Sequence, residues 1–214
     1  MHIAEIDFPE FFSQAFGGSS GVRKFVNCVE NIPAQLSPAK IVLHQTARML
    51  WLARRMQECA RDRPALQILF FMIAAEAVAK LVVGYNGEGA SRKHVNIFFK
   101  EICSEPHRER LDRAFSRELA FSFIGWQEAV DFLYDIRCDV VHRGQYFSYS
   151  LQAEPGGLNM FTPNGQGHHL IANISAPELR TIILEGSINA ALRLCSPDSE
   201  CRNLLRMSTK TAPS

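Results

Sequence analysis

Hydrophobic positions recur every three or four residues over most of the chain, which predicts a series of α-helices. A first helix should begin at Ser37-Pro38, where serine suits the N-cap and proline the first helical position, and should end before Pro64. A second helix is predicted over residues 64–83. Because it is apolar nearly all round, it is expected to be the central helix of a bundle, and the glycine-rich turn that starts at Gly84 should stop it.

The remaining helices are shorter or more strongly amphipathic. Peripheral helices are predicted over residues 92–103, capped by Ser91, and over residues 105–119. A helix over residues 126–142 carries a clear apolar stripe. The capping-box sequence Ser175-Ala176-Pro177-Glu178 opens the last helix.

Alternation of polar and apolar residues replaces the helical period after Gly144. Residues 146–151 and 158–162 read as a β-hairpin, and residues 168–174 form a third extended segment beside it. The pattern therefore predicts a small β insertion at residues 145–174, between the helix that ends near Gly144 and the last helix.

Length and composition fit one mainly α domain, a helical bundle over residues 37–195. The chain has 214 residues, of which 47% are hydrophobic, enough for a sizeable core. Residues 1–36, in which a phenylalanine-rich segment is followed by a glycine-serine link at residues 17–21, are interpreted as an N-terminal arm. Residues 196–214 are interpreted as a mobile tail.

Charge and cysteine usage narrow the function classes. Lysine and arginine number 23 against 22 acids, so any nucleic-acid site must be a local patch. The six cysteines are scattered and the N-terminus lacks a signal-peptide pattern, which predicts a reduced cytoplasmic protein.

The apolar run at 65–84 is long enough to span a bilayer. It contains Glu76 and Lys80 one turn apart, which favours a buried helix and no membrane association.

The residues with the clearest chemistry lie at the end of the helix over residues 126–142. Arg137 and His142 are separated by four residues. Arginine is a permanent planar cation suited to phosphate, and histidine titrates near neutrality, so together they could cleave a phosphodiester without a metal or cofactor. A five-residue step in a regular helix turns side chains about 140° apart. The two side chains therefore converge only if the last turn unwinds before Gly144 or a second copy packs across a two-fold axis.

These residues also have a purely structural interpretation. Helix ends attract cations because of the helix dipole, and Asp139 and Arg143 have the spacing of an ordinary helical ion pair. Arg137 could simply pair with Glu76 of the central helix. A zinc site that uses His168-His169 is disfavoured, because adjacent residues in an extended segment point to opposite faces.

Two segments carry a resemblance to a known family. The segment Arg137-Cys138-Asp139-Val140-Val141-His142, at the end of an amphipathic helix, resembles the arginine-x4-6-histidine motif of the HEPN superfamily. The upstream segment Ala74-Ala75-Glu76-Ala77-Val78-Ala79-Lys80-Leu81 is similar to the glutamate-bearing central helix of the HEPN branch found in abortive-infection proteins. The resemblance covers roughly residues 37–144 and the last helix. It implies a HEPN-like helical bundle that forms homodimers and, in many members, a metal-independent ribonuclease of toxin-antitoxin, phage-defence or RNA-processing systems.

The resemblance also implies roles for individual residues. Arg137 would stabilise charge on the scissile phosphate, and His142 would act as general base or general acid. Glu76, Asp139 and Arg143 would support them, Glu76 by orienting Arg137 and Arg143 through a phosphate contact. No cofactor is implied, and the partners would be RNA, a second copy and an antitoxin or defence protein.

One position departs from the family pattern. Cys138 stands where the family often has a polar residue directly after the arginine, and a thiol is a poor hydrogen-bond partner. Together with the motif residues, the resemblance implies an RNA-binding or metal-independent endoribonuclease domain. The alternative is a non-catalytic HEPN-like dimerisation or interaction module.

Overall fold

The chain folds as a mainly helical bundle with a small antiparallel sheet at its side. The computed structural model describes residues 37–60, 63–117, 122–145, 160–161 and 170–195. The helices are α1 Ser37–Cys59, α2 Pro64–Val82, α3 Ser91–Ile97, α4 Glu105–Asp112, α5 Gly125–Cys138 and α6 Ala176–Leu194. Two of them continue as π-helical turns, α3 through Phe98–Ile102 and α5 through Asp139–Arg143. The strands are β1 Phe115–Arg117, β2 Met160–Phe161 and β3 Leu170–Ala172.

The apolar helix α2 is the centre of the bundle, as the sequence predicts. It begins with Pro64 in its first turn and packs against α1, α3, α5 and α6. Glu76 and Lys80 are the charged residues of this helix, and Gly84 follows its end with a positive φ of 67°. By length and composition α2 could cross a membrane, a test that buried core helices also pass. Half of it is buried inside the fold.

The prediction of a helix over residues 105–119 is wrong beyond Asp112, because the chain turns there into a strand. In the sheet, β3 lies between β1 and β2, with Phe115 opposite Ala172 and Phe161 opposite Leu170. The backbone N–H of Asn173 donates to the carbonyl of Ala114 at 2.8 Å. Long-range pairing with β3 thus takes the hydrogen bonds that a continued helix would have used, and local propensity yields to it.

The other predicted extended segments are only partly described. The strands β2 and β3 lie within the predicted segments 158–162 and 168–174. The predicted strand 146–151 lies outside the described residues, and so do the arm 1–36 and the tail 196–214.

Of the three helix starts that capping residues predict, the structure describes the cap geometry of two, and one of these two predictions is confirmed. At α6 the Ser175 hydroxyl accepts from the backbone N–H of Glu178, whose carboxylate accepts from the backbone N–H of Ser175 at 2.8 Å, a complete capping box. At α3 the prediction is wrong. Ala90 occupies the N-cap with a left-handed φ of 56°, and Ser91, already inside the helix, makes a tertiary contact instead.

The helix α6 closely approaches the π-helical turn that follows α3 at a single glycine. A Cβ atom at Gly186 would lie 2.6 Å from the Phe98 ring and 3.1 Å from the sulfur of Cys103. Phe98 is fully buried, so its ring has little room to move away. The absence of a side chain at Gly186 therefore sets the distance between α6 and the π-helical turn that follows α3.

We expect Gly186→Val to destabilise the fold by about 1–3 kcal/mol, because the added side chain overpacks a filled core. Urea unfolding followed by circular dichroism measures this. Thr181→Val, an exposed change on the same helix, is the control and should stay within about 0.5 kcal/mol of wild type. Equal stability of the two variants would show that α6 can move away from Phe98.

Candidate functional site

The end of α5 departs from regular helix geometry. The backbone N–H of Gly144 donates to the carbonyl of Asp139, five residues back, and Gly144 itself has a left-handed φ of 63°. A π turn holds more residues than an α turn and is often found at functional sites. It reduces the angular separation of Arg137 and His142 from the value of about 140° in a regular helix. Even so, no hydrogen bond or ion pair joins these two side chains among the described residues.

Arg137 is mostly buried and only loosely bound. Its side chain is 18% exposed, and its Nη2 lies 3.8 Å from Oε2 of Glu76, an ion-pair distance too long for a hydrogen bond. Its guanidinium carbon lies 5.5 Å from the ring centroid of Tyr134. Its Nε is buried and has no hydrogen-bond partner in the part of the chain that the structure describes. A guanidinium with five donors and so few partners retains its capacity to bind an anion.

Glu76 is bound more closely by two other residues. Its Oε1 lies 2.8 Å from Nζ of Lys80 and accepts a 2.7 Å hydrogen bond from the Ser91 hydroxyl. Burial raises the pKa of the Glu76 carboxyl. The hydrogen bonds from Lys80 and Ser91, with the charges of Lys80 and Arg137, outweigh burial and lower that pKa below its ordinary value. The predicted pairing of Glu76 with Arg137 is therefore confirmed, but it is the weakest of the three contacts.

A second cationic group, which the sequence analysis did not identify, lies beside Arg137. Arg92 donates to Oδ1 of Asp131 at 2.9 Å and also to Asp135, and its guanidinium carbon lies 4.6 Å from the centroid of the Tyr134 ring. Tyr134 thus contacts two guanidinium groups. The sequence contains a signal for this, because Asp131 and Asp135 are like charges one turn apart, a pair that a nearby cation stabilises.

Tyr134 stays neutral in this surrounding. It is 8% exposed, and burial is the main reason that its pKa rises, followed by the neighbouring Cys138 thiol. The positive charge of Arg137 and the Ser91 hydroxyl act in the opposite direction but are weaker. A neutral ring offers Arg137 a cation–π contact without neutralising its charge.

The other predicted site residues lie in the π-helical turn. Asp139 is 4% exposed and accepts a 2.9 Å hydrogen bond from Nη1 of Arg143, so the predicted helical pair is confirmed. His142 and Arg143 are exposed, and so is Val141. His142 makes no hydrogen bond or ion pair with the residues that the structure describes. The site residues thus form two pairs, Glu76 with Arg137 and Asp139 with Arg143, with His142 apart from both.

The described residues contain no candidate metal site. They contain no group of three or more His, Cys, Asp or Glu residues that could hold a metal ion. His168-His169 lies outside the described residues. Cys59, Cys103, Cys138 and Cys195 are free thiols.

Comparison of the chain with protein-family models, with curated proteins and with solved structures gives no match. The HEPN resemblance therefore depends on the residues of the two segments and stays a prediction. What the structure adds is the arrangement of those residues around Arg137.

We expect Glu76→Gln to lower the free energy of unfolding at neutral pH by roughly 1–3 kcal/mol, because Lys80 and Arg137 lose their anion. The folded-state pKa of Glu76 is lowered, so its contribution is fully present above the unfolded value of about 4.3 and is lost as pH falls through the lower folded value. The variant should therefore lose less stability than wild type below about pH 4.

Urea titrations at several pH values test this. Glu109→Gln, which changes an exposed carboxylate of α4, is the control and should retain the wild-type loss of stability in acid. If Glu76→Gln unfolds with the wild-type free energy at every pH, the carboxylate has no stabilising role.

Proposed function

We propose that this chain is a HEPN-like RNA-binding domain that acts as a metal-independent endoribonuclease through Arg137 and His142. The observation that carries the proposal is the state of Arg137, a mostly buried guanidinium that makes no hydrogen bond to any described residue. Lys80 already matches the charge of Glu76, so these three residues together carry one excess positive charge. A phosphate oxygen is the kind of partner that would satisfy Arg137.

In this proposal the two motif residues divide the chemistry. Arg137 binds the scissile phosphate and stabilises the charge that develops on it. His142, exposed to solvent, takes the proton of the ribose 2′-hydroxyl or gives a proton to the leaving 5′-oxygen. The 2′-oxygen forms a bond to phosphorus as the bond to the 5′-oxygen breaks, which leaves a cyclic phosphate. Arg143, held by Asp139, adds an outer phosphate contact.

A second copy of the chain is part of the proposal. Arg137 is mostly buried whereas His142 is exposed, so a single chain presents them at different depths. Two helix ends that meet across a two-fold axis would place the histidine of one beside the arginine of the other. Val141, 49% exposed next to His142, offers apolar surface for such an interface.

The biological setting follows from the resemblance alone. We propose a cytoplasmic protein of a phage-defence or toxin-antitoxin system, with an antitoxin or defence protein as a further partner.

Two observations favour the alternative, a non-catalytic dimerisation or interaction module. Asp131 and Asp135 bind a single arginine, Arg92, and so leave one excess negative charge near Arg137 that opposes a polyanion. Cys138 packs partly against the core where the family often has a polar residue. In this alternative the same helix end fastens the dimer without cleaving RNA.

We expect the purified protein to cleave single-stranded RNA in the presence of a chelator and to leave a cyclic phosphate, while DNA, which lacks the 2′-hydroxyl, survives. His142→Ala should abolish cleavage, and Arg137→Ala should reduce it by about 10²-fold or more through lost charge stabilisation. Gel assays on labelled RNA and mass spectrometry of the ends measure both effects.

Arg113→Ala, which changes an exposed arginine that follows α4, is the matched control and should cleave like wild type. Circular dichroism checks that every variant is folded. Cleavage that persists in His142→Ala, or that never appears in wild type with varied RNAs, would favour the interaction module.

We expect the protein to be a dimer at micromolar concentration, because the site proposed above is composite. Light scattering after size-exclusion chromatography measures the mass in solution. Val141→Glu places a charge at the proposed interface and should shift the mass towards the monomer, whereas Val83→Glu, an equally exposed change after α2, should not. A wild-type monomer would remove the composite site.

A further inference from the structure

Lys80 and Arg137 approach the same carboxylate, that of Glu76, from two different helices. Oε1 of Glu76 lies 2.8 Å from Nζ of Lys80 and accepts a 2.7 Å hydrogen bond from the Ser91 hydroxyl. Oε2 faces Nη2 of Arg137 at 3.8 Å, which is too long for a hydrogen bond. One carboxylate is thus shared unequally between two positive charges.

The closer contact of Lys80 follows from its position on α2. A lysine four residues after a glutamate lies on the same face of the helix, in the orientation that stabilises an ion pair best. Its distance from the carboxylate therefore depends on α2 alone, whereas the distance of Arg137 depends on how α5 packs against α2. The Lys80 side chain is 24% exposed and that of Glu76 13%, so water screens this pair only in part.

Arg137 is placed to bind Glu76 when Lys80 does not. A shortening of about 1 Å would bring its Nη2 within hydrogen-bond distance of Oε2. A carboxylate and a guanidinium commonly pair through two parallel hydrogen bonds, and arginine has the planar donor geometry for this. Burial disfavours the charged form of Glu76, so without Lys80 the carboxylate gains more from a close arginine. Such a pair would occupy the donors that the proposed function assigns to phosphate.

We infer that Lys80 is a positioning residue for Arg137: by binding Glu76 it keeps that carboxylate from capturing the guanidinium, which stays open to an RNA phosphate. The inference rests on the proposed function and adds a residue outside the motif. The charges agree with it. Glu76 and Lys80 form a neutral pair, which leaves the positive charge of Arg137 for a phosphodiester, itself singly negative.

Nuclear magnetic resonance of the ligand-free protein tests the competition directly. Rotation of a guanidinium about its Nε–Cζ bond slows when two hydrogen bonds hold it on a carboxylate, and Arg137→Lys identifies the signal of Arg137. We expect this rotation to be about tenfold slower in Lys80→Met than in wild type, because Glu76 then holds Arg137. The double variant Lys80→Met/Glu76→Gln should rotate as fast as wild type.

RNA affinity measures the consequence for the proposed site. The probe is a labelled single-stranded RNA with 2′-O-methyl groups, which cannot be cleaved, and fluorescence anisotropy follows its binding. We expect Lys80→Met to weaken binding about tenfold and the double variant with Glu76→Gln to recover it to within about threefold of wild type. Lys80→Arg keeps a cation beside Glu76 and should bind like wild type. Lys100→Met, the same change of charge at an exposed position of the π-helical turn after α3, is the control and should leave the affinity unchanged.

Circular dichroism checks folding, and Lys80→Ala provides a second variant without the cation. Wild-type rotation of Arg137 in both Lys80 variants would overturn the inference. Wild-type RNA affinity in Lys80→Met, no recovery in the double variant, or an equal loss in Lys100→Met would overturn it as well. Slow rotation in Lys80→Met combined with no RNA binding by wild type would support the competition for Glu76 and refute the proposed function instead.

Discussion

The constraint on which this bundle depends is an ionised carboxylate inside its most apolar helix. Glu76 lies in α2, which packs against four other helices, and a carboxylate placed there without partners would be costly. Lys80 reaches it from the next turn, Ser91 from the start of α3 and Arg137 from α5. One charge thus joins three helices at a single point.

The distances of these partners from Glu76 determine which cation can still bind a further anion. Lys80 and Ser91 lie at hydrogen-bond distance from the Glu76 carboxylate, whereas Nη2 of Arg137 lies 3.8 Å from its Oε2. Arg92, which contacts the same Tyr134 ring, is bound to two aspartates and has a structural role. The two guanidinium groups share one aromatic neighbour but differ in what they can still bind. For that reason we assign the phosphate-binding role to Arg137 and not to Arg92.

The sequence predicted the features that depend on local periodicity and capping. The central helix, the capping box at Ser175 and the pairing of Glu76 with Arg137 are present. The features that depend on distant neighbours were missed. Local sequence favours a helix at β1 because the partner strand lies more than fifty residues further along the chain. It favours a cap at Ser91 because its partner Glu76 is on another helix.

Only part of the candidate site could be predicted from the sequence. Its motif residues were identified from their spacing, whereas the group of Arg92, Asp131, Asp135 and Tyr134 exists only through contact between α3 and α5.

The position of His142 links assembly to chemistry. A histidine that transfers protons needs a second group to fix its tautomer and orientation. Cys138 is a weak hydrogen-bond partner, and Asp139 is turned towards Arg143, so the motif's own neighbours do not supply that group. The described part of the chain contains no other side chain bonded to His142. If the domain is catalytic, the orienting contact must come from outside the described residues, whether from another part of the chain, from the bound RNA or from a second copy. Binding through Arg137 and cleavage through His142 are then separable properties, because the contacts of Arg137 lie within the described residues and the orienting contact of His142 does not.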